Sequence, residues 1–354
     1  MKGLILSGGR GTRLRPITHT GAKQLLPIAN KPILFYAIEA MRDAGITDIA
    51  MIVGDTHAEV EAAVGTGDRW GVNVTYVQQE APLGLAHAVK IARSHLEPEP
   101  FVMFLGDNLL KDGVRAFAED FETNKPNCQI LLAKVPNPQE FGVAELSGDR
   151  VVRLEEKPKQ PKSDLALVGV YIFDRNIFDV IEDLKPSARG ELEITDAIQG
   201  LIDRGFVVKH RVVSGWWKDT GKLEDVLEAN RLVLESLETA IRGEVDEDSE
   251  LHGRVVVESG ARVIKSVIRG PVVIGEDCVI ENSYIGSYTS IDHGARIVGS
   301  EIEHSVVLAE AVVENLGGRV EGSLIGRNAV VKRDGRKPSA YRFMIGDYSQ
   351  VSVV

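Results

Sequence analysis

Ser7-Gly8-Gly9-Arg10-Gly11-Thr12-Arg13-Leu14 gathers three glycines and two arginines directly after an aliphatic run. A glycine-rich turn at the end of a buried strand lets backbone N–H groups converge on a phosphate. Arg10, Arg13, Arg15 and Lys23 place four cations within 14 residues. Together they have the makings of a polyphosphate cradle with cationic stabilisers. The loop is not a Walker A motif, because no Gly-Lys-Ser/Thr follows. Nor is it the dinucleotide fingerprint, because position 14 is leucine where that motif has its third glycine. Two acids join the set. Asp107 follows a strand in Leu105-Gly106-Asp107-Asn108, and Asp219 precedes a helix in Trp216-Trp217-Lys218-Asp219-Thr220-Gly221. Two carboxylates together with phosphate oxygens suit Mg²⁺, which keeps several of its waters.

Alternating strands and helices position these residues. Gly3–Ser7, Ile49–Val53, Val74–Gln78, Phe101–Leu105 and Gln129–Val135 read as strands. Helical periodicity covers Ile33–Ala44, Leu85–His95, Val114–Glu122, Arg175–Leu184, Ile194–Arg204 and Leu223–Leu237. Thr56-His57-Ala58-Glu59 predicts a capping box opening a further helix toward Gly65. The expected fold is α/β, doubly wound and Rossmann-like, its sheet mixed because Phe141–Phe173 lacks long helices. The chain beyond is different. Ser249, Ser266, Ser283 and Ser300 recur every 17 residues. Aliphatics follow at fixed offsets: Leu251, Ile268, Ile285 and Ile302, then Val257, Ile274, Ile291 and Leu308. The third series is Val263, Ile280 and Ile297, broken at Glu314, and Val320, Ile325 and Val331 continue beyond it. Three inward aliphatics per turn describe a triangular prism of stacked short strands. The pattern resembles the hexapeptide repeat of left-handed parallel β-helices. Residues 1–242 and 243–354 are the expected domains, divided at the acidic run 243–248.

Larger motifs carry a family resemblance. Gly8-Gly9-x-Gly11-Thr12-Arg13-Leu14-x-Pro16-x-Thr18 resembles the opening of sugar-1-phosphate nucleotidylyltransferases. Lys23-Gln24-Leu25-Leu26-Pro27 is similar to the glucose-1-phosphate thymidylyltransferases. Residues 79–86, Glu155-Glu156-Lys157-Pro158, Gly190–Asp196 and Asp219-Thr220-Gly221 fit the same group. The tail Arg342–Ser349 with the β-helix resembles the long, antibiotic-pathway subgroup. The resemblance implies Mg²⁺-dependent thymidylyl transfer from dTTP to glucose 1-phosphate. It implies that Arg13 and Lys23 stabilise the transferring α-phosphate, and that Asp107 and Asp219 hold the metal. Gln79 and Gly84 would recognise thymine, with Gly8 and Gly9 near the nucleoside and Gly11 and Thr12 in the nucleotide loop. Gly142, Glu156, Lys157, Gly169 and Arg189 would line the sugar-phosphate site. Leu83 and His87 depart from the shorter enzymes, which have Asp and Gln there. His87 is expected to pack or face solvent.

The whole composition sets bounds. The chain has 354 residues, net charge −11 and 26% charged residues, as a globular protein does. An acidic balance argues against a nucleic-acid partner. No apolar run reaches the roughly 18–20 residues of a membrane span, and the start lacks a signal-peptide pattern. Cys128 and Cys278 fit no metal spacing and read as buried thiols of a cytoplasmic protein. A β-helix of this kind is expected to form a homo-oligomer. Three alternatives stand beside the thymidylyltransferase. One is a UTP- or GTP-using relative; another is a bifunctional acetyltransferase using His293 or His304. The third is a non-catalytic sensor or assembly subunit.

Overall fold

The computed structural model describes residues 1–9, 11–19, 21–335 and 343–352. Arg10 and Arg342, named above, lie outside the described residues. In chain order the elements of the first two-thirds are β1 (Lys2–Ser7), β2 (Pro27–Ile28), β3 (Lys31–Pro32), α1 (Ile33–Asp43), β4 (Asp48–Val53), α2 (His57–Val64) and β5 (Asn73–Gln78). Then come α3 (Leu85–Ile91), α4 (Arg93–Leu96), β6 (Phe101–Leu105), β7 (Asn108–Leu110), α5 (Arg115–Asn124), β8 (Cys128–Lys134), β9 (Gly142–Ser147) and β10 (Arg150–Glu156). β11 (Leu165–Phe173), α6 (Asn176–Asp183), α7 (Ile194–Asp203), β12 (Val208–Val212), β13 (Trp217–Asp219) and α8 (Leu223–Leu234) complete them.

Two compact units result. The first comprises Met1–Arg10, Ala22–Leu25 and Ile33–Asp219. Its main sheet runs β10-β9-β11-β6-β1-β4-β5, with β8 also pairing β11 and β12. β6, β1, β4 and β5 are parallel, and β11 turns antiparallel against β6, so the sheet is mixed. Leu4 and Leu6 face one apolar core and Ile5 the other, because alternate residues of a strand point to opposite faces. With both faces covered, the ligand-binding edge is left at the carboxyl ends of β1, β4 and β6. Two helical expectations are corrected. Leu85–His95 breaks into α3 and α4 at Ala92. Thr56 (ψ 22°) lacks the extended backbone of a cap and makes no side-chain bond to α2, and Glu59, the other half of the predicted box, accepts instead from the Ala22 N–H at 2.7 Å.

The second unit comprises Gly11–Gly21, Leu26–Pro32 and Thr220–Val354. Three parallel sheets of 6, 6 and 5 short strands form the sides of a left-handed β-helix. Val257, Ile274 and Ile291 fill one side of its core, Val263, Ile280 and Ile297 a second, and Ile268, Ile285 and Ile302 the third. The recurring serines form a ladder. Ser266, Ser283 and Ser300 each donate to a carbonyl two residues back. Each hydroxyl also accepts from a backbone N–H of the next coil, at 3.1, 3.3 and 3.2 Å. The 17-residue spacing does not persist. Ile291 pairs with Val307 and Ile297 with Val313, 16 residues on, and those two then pair with Ile325 and Val331, 18 residues on. The inward residues are therefore Val307 and Val313, where the fixed period put Leu308 and Glu314. Glu314 faces outward and meets Arg296 Nε at 3.3 Å. α8 and the β2–β3 hairpin pack on one side. Buried Asn230 accepts from the Ala29 N–H (2.9 Å) and donates to the Tyr288 carbonyl (3.2 Å). Asn30 Nδ2 donates to the Ile291 carbonyl (2.6 Å).

Candidate active site

Asp107 lies where β6 turns into β7, at the carboxyl edge of the parallel strands. Its carboxylate is paired with the Lys23 ammonium and accepts from Asn108 Nδ2 at 3.0 Å. Burial alone would raise its pKa. The Lys23 charge and the hydrogen bonds from Lys23 and Asn108 outweigh that and hold it below the usual carboxylate range. β13 runs antiparallel to β7 with Asp219 opposite Asn108, so the second acid arrives beside the first. Trp217 Nε1 donates to Asn108 Oδ1 at 2.6 Å, which turns the Asn108 amide nitrogen toward Asp107. Trp217 also meets the Phe141 ring edge-on, centroids 5.4 Å apart. Two glycines make room. A Cβ on Gly169 would stand 2.8 Å from Asn108 Oδ1, and one on Gly9 would stand 2.9 Å from Lys23 Cε. Glu59 anchors the stretch that carries Lys23 through the Ala22 N–H. Lys23, Asp107 and Asp219, expected from the motifs, are thus brought together. The contacts of Asn108, Trp217 and Glu59 that support them were not expected, although the first two stand inside the motifs.

A second cluster joins β9, β10 and the segment before α7. The half-buried Glu156 carboxylate receives Thr195 Oγ1 and Arg189 Nη1, each at 3.3 Å. Arg189 also reaches Glu191 and Glu193 at 3.1 and 3.7 Å. Burial, and then the Glu193 charge, raise the Glu156 pKa above the ordinary glutamate range despite Lys157 and Arg189. A Cβ on Gly142 would collide with Thr195 and Leu167 at 2.6 and 2.7 Å, so glycine lets β9 lie against α7 beside Glu156. Lys157 has a left-handed backbone (φ 44°) and donates its N–H to the Phe141 carbonyl, returning the chain over the same strand. Gly142, Glu156 and Arg189 are thus brought together. Lys157 lies next to them in the chain, while Gly169 belongs to the Asp107 side.

A third cluster sits after β5. Gln79 Nε2 lies 3.2 Å from the Gly84 carbonyl and 3.0 Å from His87 Nδ1. Its Oε1 faces Gly8, 3.6 Å from where a Cβ there would stand. Gly84 (φ 102°) admits no other residue, because a Cβ would come within 2.3 Å of the Leu192 carbonyl. His87 neither simply packs nor simply faces solvent, as expected, but holds Gln79. Burial and then Lys90 lower its pKa. Gly11, Thr12 and Arg13 belong to the second unit. Gly11 is left-handed (φ 63°), its carbonyl accepts from Thr18 Oγ1 (2.7 Å), and Arg13 stands exposed on a single helical turn, Thr12–Leu14. His293 is an exposed corner residue beside Asp292 (3.1 Å), and His304 meets Tyr288 edge-on.

The nucleotidyl transferase family matches residues 2–236 of the chain. A glucose-1-phosphate thymidylyltransferase of Streptomyces antibioticus is 54% identical over 100% of this chain and 99% of its own. One of Streptomyces griseus is 51% identical over the same shares. A solved Bacillus anthracis chain, assigned as a glucose-1-phosphate thymidylyltransferase, superimposes with a TM-score of 0.64 at 39% identity. It covers 68% of this chain and 97% of its own. The chain is an enzyme of the nucleotidyl transferase family and groups with its glucose-1-phosphate thymidylyltransferases.

Proposed function

We propose that the chain transfers a thymidylyl group from dTTP to glucose 1-phosphate, releasing pyrophosphate and forming dTDP-glucose. The observation that carries this is the half-buried Lys23–Asp107 pair at the carboxyl edge of the sheet, with Asp219 across the β7–β13 ladder. A phosphate oxygen of the sugar phosphate attacks the α-phosphorus in line, and the bond to the β-phosphate breaks. That oxygen is already anionic near pH 7, so no base or covalent nucleophile is needed. The chain's own task is positioning and charge neutralisation. Lys23 meets the developing charge on the α-phosphate, and the family motif adds Arg13 as a second cation. Gly8, Gly9, Gly11 and Thr12 serve the nucleotide, and Gln79 and Gly84 the thymine. Gly142, Glu156, Lys157, Gly169 and Arg189 serve the sugar phosphate. Asp107 and Asp219 would hold Mg²⁺. Two carboxylates fit that ion when substrate oxygens and water complete its shell, and the described residues offer no larger cluster of metal ligands. When bound, the ion neutralises phosphate oxygens.

Residues 1–242 would carry this chemistry and residues 243–354 the coil. In the last coil Val330 and Val331 stay exposed, which suits a homo-oligomer with a mass in light scattering above 38.6 kDa. Two buried unpaired thiols suit the reducing cytoplasm. The test is pyrophosphate release from glucose 1-phosphate with dTTP, UTP, GTP and CTP, compared by kcat/KM. Preference for dTTP is expected, and preference for GTP or CTP would overturn the assignment.

A further inference from the structure

We infer that His87 is a positioning residue for base recognition, fixing the Gln79 amide so that only its carbonyl oxygen is offered to the nucleobase. This rests on the reading that Gln79 meets the base. The Gly84 carbonyl can only accept a hydrogen bond. It is held in place, because the flanking loop is pinned to Leu192: Leu192 N–H donates to the Leu83 carbonyl (2.8 Å) and Ala86 N–H to the Leu192 carbonyl (3.0 Å). The nitrogen of Gln79 therefore faces Gly84, held by a single bond of 3.2 Å. An amide nitrogen has two hydrogens. The second points to His87 Nδ1, which must then be the unprotonated ring nitrogen. Burial and the nearby Lys90 favour that neutral ring.

With both hydrogens engaged, Gln79 can only accept from a ligand, through the Oε1 that faces Gly8. An acceptor there is matched by the imide N3–H of thymine or uracil. The N3 of cytosine has no hydrogen and repels it. His87 thus sets the donor–acceptor sense of the pocket without touching the base. Replacing it by alanine leaves the amide held by the 3.2 Å bond to the Gly84 carbonyl alone, so that it turns over more readily and offers its NH₂ instead.

The test uses the full chain with glucose 1-phosphate, dTTP as substrate and dCTP as competitor, for wild type, His87→Ala, His87→Gln and Gln79→Leu. His87→Ala should lower the preference for dTTP over dCTP roughly tenfold, the cost of an unfixed hydrogen-bonding group. The loss should appear in KM, with kcat nearly unchanged. His87→Gln, whose Oε1 can accept from Gln79, should retain the preference. A purely structural His87 would weaken both nucleotides alike. An unchanged preference in His87→Ala, alongside a lost one in Gln79→Leu, would overturn the role of His87 alone. An unchanged preference in Gln79→Leu would overturn the base-reading role of Gln79, and this inference with it. A His87→Gln enzyme as indiscriminate as His87→Ala would overturn the acceptor role.

Discussion

Lys23 and Asp107 lie half-buried side by side, and each charge favours the other. Lys23→Ala therefore does two things. It removes the cation offered to the phosphate, which lowers kcat about 10²–10³-fold. It also takes the ammonium from the half-buried Asp107 carboxylate, which lowers the melting temperature. Removing both side chains, Lys23→Ala with Asp107→Ala, should recover part of that thermal loss and none of the activity. Steady-state rates beside thermal melts check this; a double variant less stable than either single would contradict the pairing argument. Lys23, Asp107 and Gly84 were legible because they stand in fixed motifs. His87 and Trp217 were not, since each acts through one hydrogen bond to another side chain, Gln79 and Asn108. Such partnerships depend on how a loop or hairpin closes, and spacing along the chain does not encode that.

The same limit shows in whole elements. Thr56–Glu59 has the spacing of a capping box, yet a tertiary donor, the Ala22 N–H, takes the Glu59 carboxylate. At α8 the reverse holds: Asp225 accepts from the Lys222 N–H at 3.1 Å without any Ser or Thr to announce the start. The serine ladder was visible as a period, but its cause was not. Ser283 joins the Glu281 carbonyl of its own coil to the Ser300 N–H of the next, both inside the stack. Ser283→Ala leaves the Ser300 N–H unmatched, while the Glu281 carbonyl keeps the Gly299 N–H, and should cost about 1–3 kcal/mol. Ser323→Ala loses only an exposed contact and should be nearly neutral. Chemical denaturation of the two variants measures the difference. Equal stabilities would mean the ladder is incidental. The misplaced Leu308 and Glu314 have a plain origin. Register is set by strand pairing, and an aliphatic was available one residue earlier at both positions.

Over the whole molecule, two kinds of core carry two thiols. Cys128 lies in the mixed sheet and Cys278 inside the coil, both fully buried. Burial pushes the Cys128 thiol well above its ordinary pKa and the Cys278 thiol up to about 12. Neither should react with a thiol reagent until its own unit opens. Labelling along a urea gradient, resolved by peptide mass, should give a separate midpoint for each cysteine. Coincident midpoints would show one cooperative transition. The overall architecture was legible because both patterns are long: alternation over two hundred residues, and a period repeated through the coil. What a fixed period hid was where a repeat can change length. Left-handed residues mark successive corners at Gly260, Asp277, Gly294, Glu310 and Asn328, and they follow the same shift from 17 to 16 to 18 as the strands between them. Evolution can therefore insert or delete residues at a corner while every flat side keeps its inward aliphatics. Length variation among kindred chains should gather at the other two corners, where this chain is a residue shorter between Ile302 and Val307 and two longer between Val313 and Val320 than in the coil before, and an engineered peptide tag placed there should be tolerated where the same tag in a side is not.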